Sequence, residues 1–108
     1  MDNIYVKIVI NDKETIEMEP GKKSIGRRDS EYLPDIDLTD FDKEKYISRK
    51  HGVFYFDGCD LVYTDNSKNG TLLNGEKINF VDRLLKDMDE LLLGHVRIIV
   101  MLSENNES

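Results

Sequence analysis

The stretch GVFYFDGCDLVYT, residues 52–64, decides the fold class because it contains two strand-like runs around one turn signal. Both runs, Gly52–Phe56 and Asp60–Thr64, are rich in the β-branched and aromatic residues that favour strands. Asp57-Gly58 stands between them, and this dipeptide is typical of a type I′ turn, in which both central residues have positive φ. The stretch therefore predicts a β-hairpin.

Outward from this hairpin, the same pattern recurs along the chain. Thr71–Leu73 and Glu76–Ile78 flank Asn74-Gly75, which predicts a second hairpin of the same kind. Four further segments are expected to form strands: Ile4–Ile10, Thr15–Met18, Ser24–Arg27 and Val96–Leu102. Short strands separated by regular turn signals are typical of an all-β sandwich.

One segment gives two conflicting signals. Leu84, Leu85, Met88, Leu91 and Leu92 recur at spacings of three and four residues, which by periodicity alone predicts an amphipathic helix. The surrounding strands and turns instead favour two strands joined by residues 86–89. We predict the two strands.

The chain has 108 residues, which is enough for one domain with its own core. We expect this domain to cover residues 1–102 and the polar residues 103–108 to form a disordered tail. Cys59 is the only cysteine, so an intramolecular disulfide is excluded. The sequence has no apolar run of about 20 residues and no signal-peptide pattern, which predicts a cytoplasmic protein without membrane contact.

The net charge of −7 argues against nucleic-acid binding, which depends on extended basic surfaces. Basic residues are nevertheless concentrated in two segments: Lys22, Lys23, Arg27 and Arg28, and Lys43, Lys45, Arg49 and Lys50. If these segments meet in space, they can form one small positive site. The acids between them, at positions 35, 37, 40 and 42, lack the glycine and the closing glutamate of a calcium loop, so turn capping is favoured over metal binding.

Three polar motifs stand at the expected strand ends: Gly26-Arg27, Ser48-Arg49-Lys50-His51 and Asn66-Ser67-Lys68-Asn69-Gly70-Thr71. In this order, and followed by Leu72-Leu73-Asn74-Gly75, they closely resemble the forkhead-associated (FHA) domain, which is a phosphothreonine-binding β-sandwich. The loop from Pro34 to Thr39 also resembles that of bacterial members. The resemblance extends from Ile4 to Leu102.

The resemblance implies an FHA-type sandwich of two twisted, mostly antiparallel sheets, with the binding loops at one end. It also implies a role for each matching residue. The residues expected to bind phosphate are Arg27, Ser48, Arg49 and Lys68. Asn69 is expected to bind the peptide backbone, and specificity is expected from Lys45, Tyr46 and Asn66. The residues expected to support the loops are Gly26, His51, Gly70, Thr71, Asn74 and Gly75.

Side-chain chemistry agrees with these roles. Arg27 offers paired N–H donors for oxyanions, and Ser48 offers a directional hydroxyl. For Arg49 and Lys68, a solvated side chain without phosphate contact is an equally good interpretation. Ser48 beside His51 also suggests a hydrolase, but no buried acid or oxyanion hole is indicated, so we expect no enzyme activity, no cofactor and no metal.

The implied function is recognition of a phosphothreonine-containing protein, either a Ser/Thr kinase or its substrate. The alternative is a phosphate-independent interaction domain on the same fold.

Overall fold

The structure, a computed structural model, describes residues 3–105, and in this range the chain forms eleven strands and one 3-10 turn at Thr39–Phe41. The strands are β1 (Asn3–Ile10), β2 (Glu14–Met18), β3 (Gly21–Gly26), β4 (Ile36–Asp37), β5 (Gly52–Phe56), β6 (Leu61–Asp65), β7 (Thr71–Leu73), β8 (Glu76–Ile78), β9 (Asp82–Leu85), β10 (Glu90–Leu93) and β11 (Val96–Asn105).

The strands form two sheets. The six-stranded sheet has the order β2-β1-β11-β10-β7-β8, and all its neighbours are antiparallel. The five-stranded sheet has the order β4-β3-β5-β6-β9 and is antiparallel except for the β3–β4 pair. The predicted all-β sandwich of two mostly antiparallel sheets is therefore confirmed.

The core lies between the sheets because alternate residues of each strand point inward. Phe54 and Tyr63 from the five-stranded sheet are fully buried, with ring centroids 5.2 Å apart, and Ile98 of the six-stranded sheet is buried as well. Burial of each such side chain contributes about 1.5–3 kcal/mol, which offsets the conformational entropy lost on folding.

The hairpin of residues 52–64 is confirmed, but its turn differs from the prediction. Residues 57–60 all lie in the loop, and of these four only Gly58 has a positive φ, so the turn is not type I′. Asp57 closes the loop with its side chain, which accepts hydrogen bonds from the backbone N–H groups of Cys59 and Asp60 at 2.8 and 2.7 Å. At the second hairpin, Asn74 and Gly75 both have positive φ, as predicted.

The ambiguous segment forms the two predicted strands, β9 and β10, rather than a helix. Its turn is closed by the Asp89 carboxylate, which accepts the backbone N–H of Lys86 at 2.7 Å. Leu84 is exposed and Leu85 is buried, as expected for alternation along a strand.

The last strand is longer than predicted. β11 continues to Asn105, where its backbone pairs with Asn3, so residues 103–105 belong to the sheet and not to a disordered tail. Residues 106–108 of the expected tail lie outside the described residues. In the part of the chain that the structure describes, no helix has the length and apolar character needed to cross a membrane.

Candidate functional site

The three polar motifs meet at one end of the sandwich. The backbone N–H of Arg27, just after β3, donates to the carbonyl of Ser48 at 3.2 Å. The N–H of Lys68, in the β6–β7 loop, donates to Oγ of Ser48 at 3.0 Å. The side-chain amide of Asn69 donates to the carbonyl of Tyr46 at 3.0 Å. These bonds join segments that lie about twenty residues apart in the chain.

Gly26 permits this approach. A Cβ at this position would overlap the carbonyl oxygen of Arg49, which is a backbone atom and cannot rotate away. The carbonyl of Gly26 accepts the N–H of Leu38 at 2.8 Å, so the residue is held from both sides. Gly26 thus has a steric reason to be glycine, which is the close packing of β3 against the loop of residues 47–51, called the serine loop below.

Arg27 is half-buried, and its Nε donates to the carbonyl of Ile47 at 3.0 Å. This bond fixes the side chain and leaves both terminal nitrogens available. Among the described residues, no carboxylate lies within ion-pair distance of Arg27. Each of the chain's other four arginines does have a carboxylate partner: Arg28, Arg49, Arg83 and Arg97.

Ser48 is positioned through its backbone and its side chain. Its N–H donates to Nδ1 of His51 at 3.1 Å, and its Oγ accepts the N–H of Lys68. In this bond Oγ is the acceptor, and it donates no hydrogen bond to any of the described residues, so its hydroxyl proton is available. A guanidinium and a hydroxyl donor are therefore both available at this end of the sandwich.

His51 is fully buried beneath the loops that carry Ser48 and Lys68, and both of its ring nitrogens make hydrogen bonds. Because Nδ1 accepts from the N–H of Ser48, the proton of the neutral ring is on Nε2, which donates to Oγ1 of Thr71 at 3.0 Å. The ring thus makes no bond to the hydroxyl of Ser48. A nucleophile and its base must share such a bond, so the geometry does not support the hydrolase alternative.

Asp65 is the centre of a buried hydrogen-bond network that sequence reasoning missed. Its carboxylate accepts bonds from Thr71 Oγ1 at 2.6 Å, Ser67 Oγ at 2.9 Å and Asn79 Nδ2 at 2.9 Å, and also from the hydroxyl of Tyr63. Burial alone would raise the pKa of Asp65, but the hydrogen bonds outweigh it and hold the pKa below its usual value. The carboxylate is therefore ionised, and it fixes both ends of the β6–β7 loop.

Asp42 has a similar role in the loop that precedes Ser48. It is buried, and its two carboxylate oxygens accept the N–H groups of Tyr46 and Ile47 at 3.1 and 2.8 Å. Among the residues that the structure describes, no group of three or more His, Cys, Asp or Glu side chains is arranged to hold a metal ion. Of the other acids in this segment, Asp37 and Asp40 pair with Arg28, and Asp35 accepts hydrogen bonds from Ser24.

The remaining predicted site residues are exposed or lie away from Arg27 and Ser48. The guanidinium of Arg49 is exposed and bonded to Asp29 at 2.7 Å, which occupies its side chain. Lys68, Lys45 and Asn66 are exposed in the same loops. Asn74 and Gly75 lie at the far end of β7, where Asn74 bonds Asp89 at 2.8 Å. Asn74 thereby connects two turns, and among the described residues no hydrogen bond joins its side chain to the loops around Arg27, Ser48 and Asn69.

The chain is similar to known proteins in both sequence and fold. The family model described as FHA domain matches residues 23–94. An FHA domain analysed for phosphothreonine-dependent interactions is 30% identical, with 90% of this chain and 95% of that chain covered and a TM-score of 0.74. The FhaA FHA domain, complexed with the intracellular domain of Rv3910, is 30% identical over 88% of this chain and 98% of its own, with a TM-score of 0.73.

A more distant structure shows the fold alone. The N-terminal FHA domain of Rad53p from S. cerevisiae, in complex with a phosphothreonine peptide, is 18% identical, with 92% of this chain and 94% of that chain covered and a TM-score of 0.76. Among curated proteins, no significant match to the chain was found.

Proposed function

This chain belongs to the family of FHA domains, and from that membership we propose that it binds phosphothreonine-containing peptides through the loops around Arg27 and Ser48, with no chemistry of its own. The observation that carries the proposal is the state of Arg27. Among the described residues it is the one arginine without a carboxylate partner, and its Nε bond to Ile47 holds it beside the serine loop. A fixed, unneutralised guanidinium is well suited to an anion that arrives from outside.

A phosphate group matches the donors at this end of the sandwich. It carries a charge of about −1.5 to −2 and three acceptor oxygens. Arg27 supplies the terminal N–H groups of its guanidinium, and Ser48 supplies its free hydroxyl proton. Lys68 adds positive charge at the rim. Because the side chain of Arg49 is already bonded to Asp29, we assign its contribution to the backbone N–H.

Asn69 is proposed to hold the peptide backbone. One N–H of its amide is used by the carbonyl of Tyr46. The amide oxygen has no hydrogen-bond partner among the described residues, so it can accept an N–H from an extended peptide. This contact positions a ligand without reading its sequence.

The preference for threonine over serine is expected to come from burial of the threonine methyl group. One methyl group contributes about 1 kcal/mol when buried, or roughly fivefold in affinity. We propose a phosphorylated Ser/Thr kinase or its substrate as the ligand, and kinase signalling in the cytoplasm as the setting. The alternative is a phosphate-independent interaction domain on the same fold.

Calorimetry tests the proposal with a degenerate phosphothreonine peptide library and its phosphoserine and unphosphorylated counterparts. We expect micromolar binding of the phosphothreonine library, weaker binding of phosphoserine and no binding without phosphate. Arg27→Ala should reduce the affinity by about 10- to 150-fold, since hydrogen bonds to charged groups contribute about 1.5–3 kcal/mol.

Arg28→Ala is the matched control, because the neighbouring Arg28 is already paired with Asp37 and Asp40. It should change the affinity less than about twofold. Equal binding of phosphorylated and unphosphorylated peptides, or equal effects of the two arginine substitutions, would contradict the proposal and favour the phosphate-independent alternative.

A further inference from the structure

One edge of the five-stranded sheet is β9, which pairs with β6 on one side and has no other strand of the described residues on its far side. The backbone N–H of Asp65 donates to the carbonyl of Val81 at 3.0 Å. Since bonded pairs alternate along antiparallel strands, the backbone of Arg83 is also bonded towards β6. The N–H and C=O groups of Asp82 and Leu84 therefore point away from the sheet, where they can pair with an added strand.

Of the four edge strands of the two sheets, β9 is the least protected against pairing. Natural edges are protected when the strand is very short or carries exposed charges. The edge strands β4 and β8 have two and three residues, and β2 exposes Glu14 and Glu17, which would repel a second copy of the same strand. β9 has four residues and presents Leu84, which is 56% exposed. The unpaired backbone of β9 thus lies beside an apolar side chain.

The charges along this edge are complementary to those of a second copy. Strand alternation places Asp82, Leu84 and Lys86 on the outer face of the sheet, and all three are exposed. When two copies of β9 run antiparallel with their Leu84 residues opposite each other, Asp82 of each copy lies opposite Lys86 of the other. A register centred on Asp82 or on Arg83 would instead place like charges opposite each other, which is unfavourable. The register centred on Leu84 also uses the backbone groups that point outward.

The apolar surface of the outer face extends to this edge. Val62 of β6 lies beside Leu84, and Tyr55 of β5, which is 45% exposed, lies beside Val62. In the paired arrangement Leu84 would be covered by Val62 on one side and by its own counterpart on the other. Arg83 projects from the opposite face of β9 and is bonded to Glu76 at 2.8 Å, so its charge does not oppose the second copy.

We propose that two copies of this chain associate through β9, antiparallel and with Leu84 at the two-fold axis, so that their five-stranded sheets join into one continuous sheet. Such an interface is isologous, because each copy contributes the same surface. It contains the backbone bonds between the two Leu84 residues and two ion pairs between Asp82 and Lys86. Because this contact is small, the dimer is weak, with a Kd on the order of 100 μM.

Sedimentation equilibrium at concentrations from about 10 μM to about 1 mM tests the proposal, and the unaltered chain should change from monomer to dimer over this range. Asp82→Lys opposes two positive charges in each pair, and Lys86→Asp opposes two negative charges. Each variant alone should therefore raise the Kd by about tenfold or more. An equimolar mixture of the two variants restores opposite charges in both pairs, and it should form a mixed dimer about as tightly as the unaltered chain.

Tyr55→Lys is the matched control, because Tyr55 is exposed on the same face of the sheet but lies two strands away from β9. It should change the Kd less than about twofold. Circular dichroism checks that every variant is folded. A chain that stays monomeric at about 1 mM, a mixture that associates no better than its components, or an equal loss of dimer in Tyr55→Lys would overturn the proposal.

Discussion

His51 joins the serine loop to the interior through both of its ring nitrogens, and its protonation should therefore affect stability. Burial lowers the pKa of His51, and the carboxylates of Asp65 and Asp42 offset only part of this effect. The ring is neutral in the folded protein. In the unfolded chain its pKa is about 6.5, so on acidification the unfolded state takes up the proton first.

We therefore expect the free energy of unfolding to fall as the pH drops below about 6.5, with a slope of up to about 1.4 kcal/mol per pH unit, until His51 is protonated in the folded state as well. Urea denaturation at several pH values measures this slope. His51→Gln should remove it, whereas His95→Gln should not, because the side chain of His95 is 80% exposed. An unchanged slope in His51→Gln would show that other groups cause the pH dependence.

Asp65 is expected to be the most sensitive polar residue of the domain. Asp65→Asn preserves the shape but replaces one acceptor oxygen with a donor group, which faces the hydroxyl of Thr71 or the amide of Asn79. Because hydrogen bonds to a charged group contribute about 1.5–3 kcal/mol each, a loss of about 3 kcal/mol or more is expected. The control is Asp82→Asn, since Asp82 accepts a bond from Thr64 at the surface. Equal unfolding midpoints in urea for the two variants would refute this role.

The chemistry of single residues could be predicted from the sequence only in part. The motifs around Arg27, Ser48 and Asn69 could each be recognised because the residues within one motif are adjacent in the chain. Asp65 and Asn79 lie fourteen residues apart and meet only in the folded sandwich. One signal was available: with Leu61 and Tyr63 pointing inward, Asp65 falls on the same face of β6, and a buried carboxylate requires hydrogen-bond donors.

Among the elements, the end of β3 depends most on the absence of a side chain at Gly26. Gly26→Ala would drive a Cβ into the carbonyl of Arg49 and force the serine loop away from β3. We expect a loss of more than about 2 kcal/mol in stability, together with loss of phosphopeptide binding. Gly58→Ala is the control: the added Cβ has open space around it, so only its positive φ is unfavourable, at about 1–2 kcal/mol, and phosphopeptide binding should be retained. Urea denaturation compares the two variants, and similar losses would mean that the packing at Gly26 is not limiting.

The β9–β10 segment shows why periodicity can mislead at this scale. The spacing of its leucines matches a helix because two short alternating strands are joined by a turn of four residues. In the structure Leu85, Leu91 and Leu93 face inward, while Leu84 is exposed. The turn signals of the neighbouring segments were the better guide, since a strand pair requires only local alternation and a turn.

For the molecule as a whole, the sequence indicated the class of fold but not the surface beside the site. The number of predicted strands, the turn signals and the order of the motifs together predict a β-sandwich. The pairing of Leu72 with Leu92, on the outer face of the six-stranded sheet, depends on the order of strands in that sheet. That order brings β7 beside β10, and no local pattern in the sequence encodes it.

The proposed binding site spans both sheets, and this should couple ligand binding to global stability. His51 precedes β5 of the five-stranded sheet, and its partner Thr71 begins β7 of the six-stranded sheet. The donors of the site are thus assembled only when the two sheets are packed together. A ligand that binds this arrangement and not the unfolded chain stabilises the whole domain by mass action.

At a ligand concentration of about 100 times Kd, the expected stabilisation is about 2.7 kcal/mol, which should raise Tm by on the order of 10 °C in a domain of this size. Thermal unfolding followed by circular dichroism, with a phosphothreonine peptide and its unphosphorylated counterpart, measures this shift. The shift should require the phosphate and should be largely lost in Arg27→Ala but retained in Arg28→Ala. An equal shift with both peptides would mean that the ligand binds a surface other than the loops around Arg27, as the phosphate-independent alternative requires.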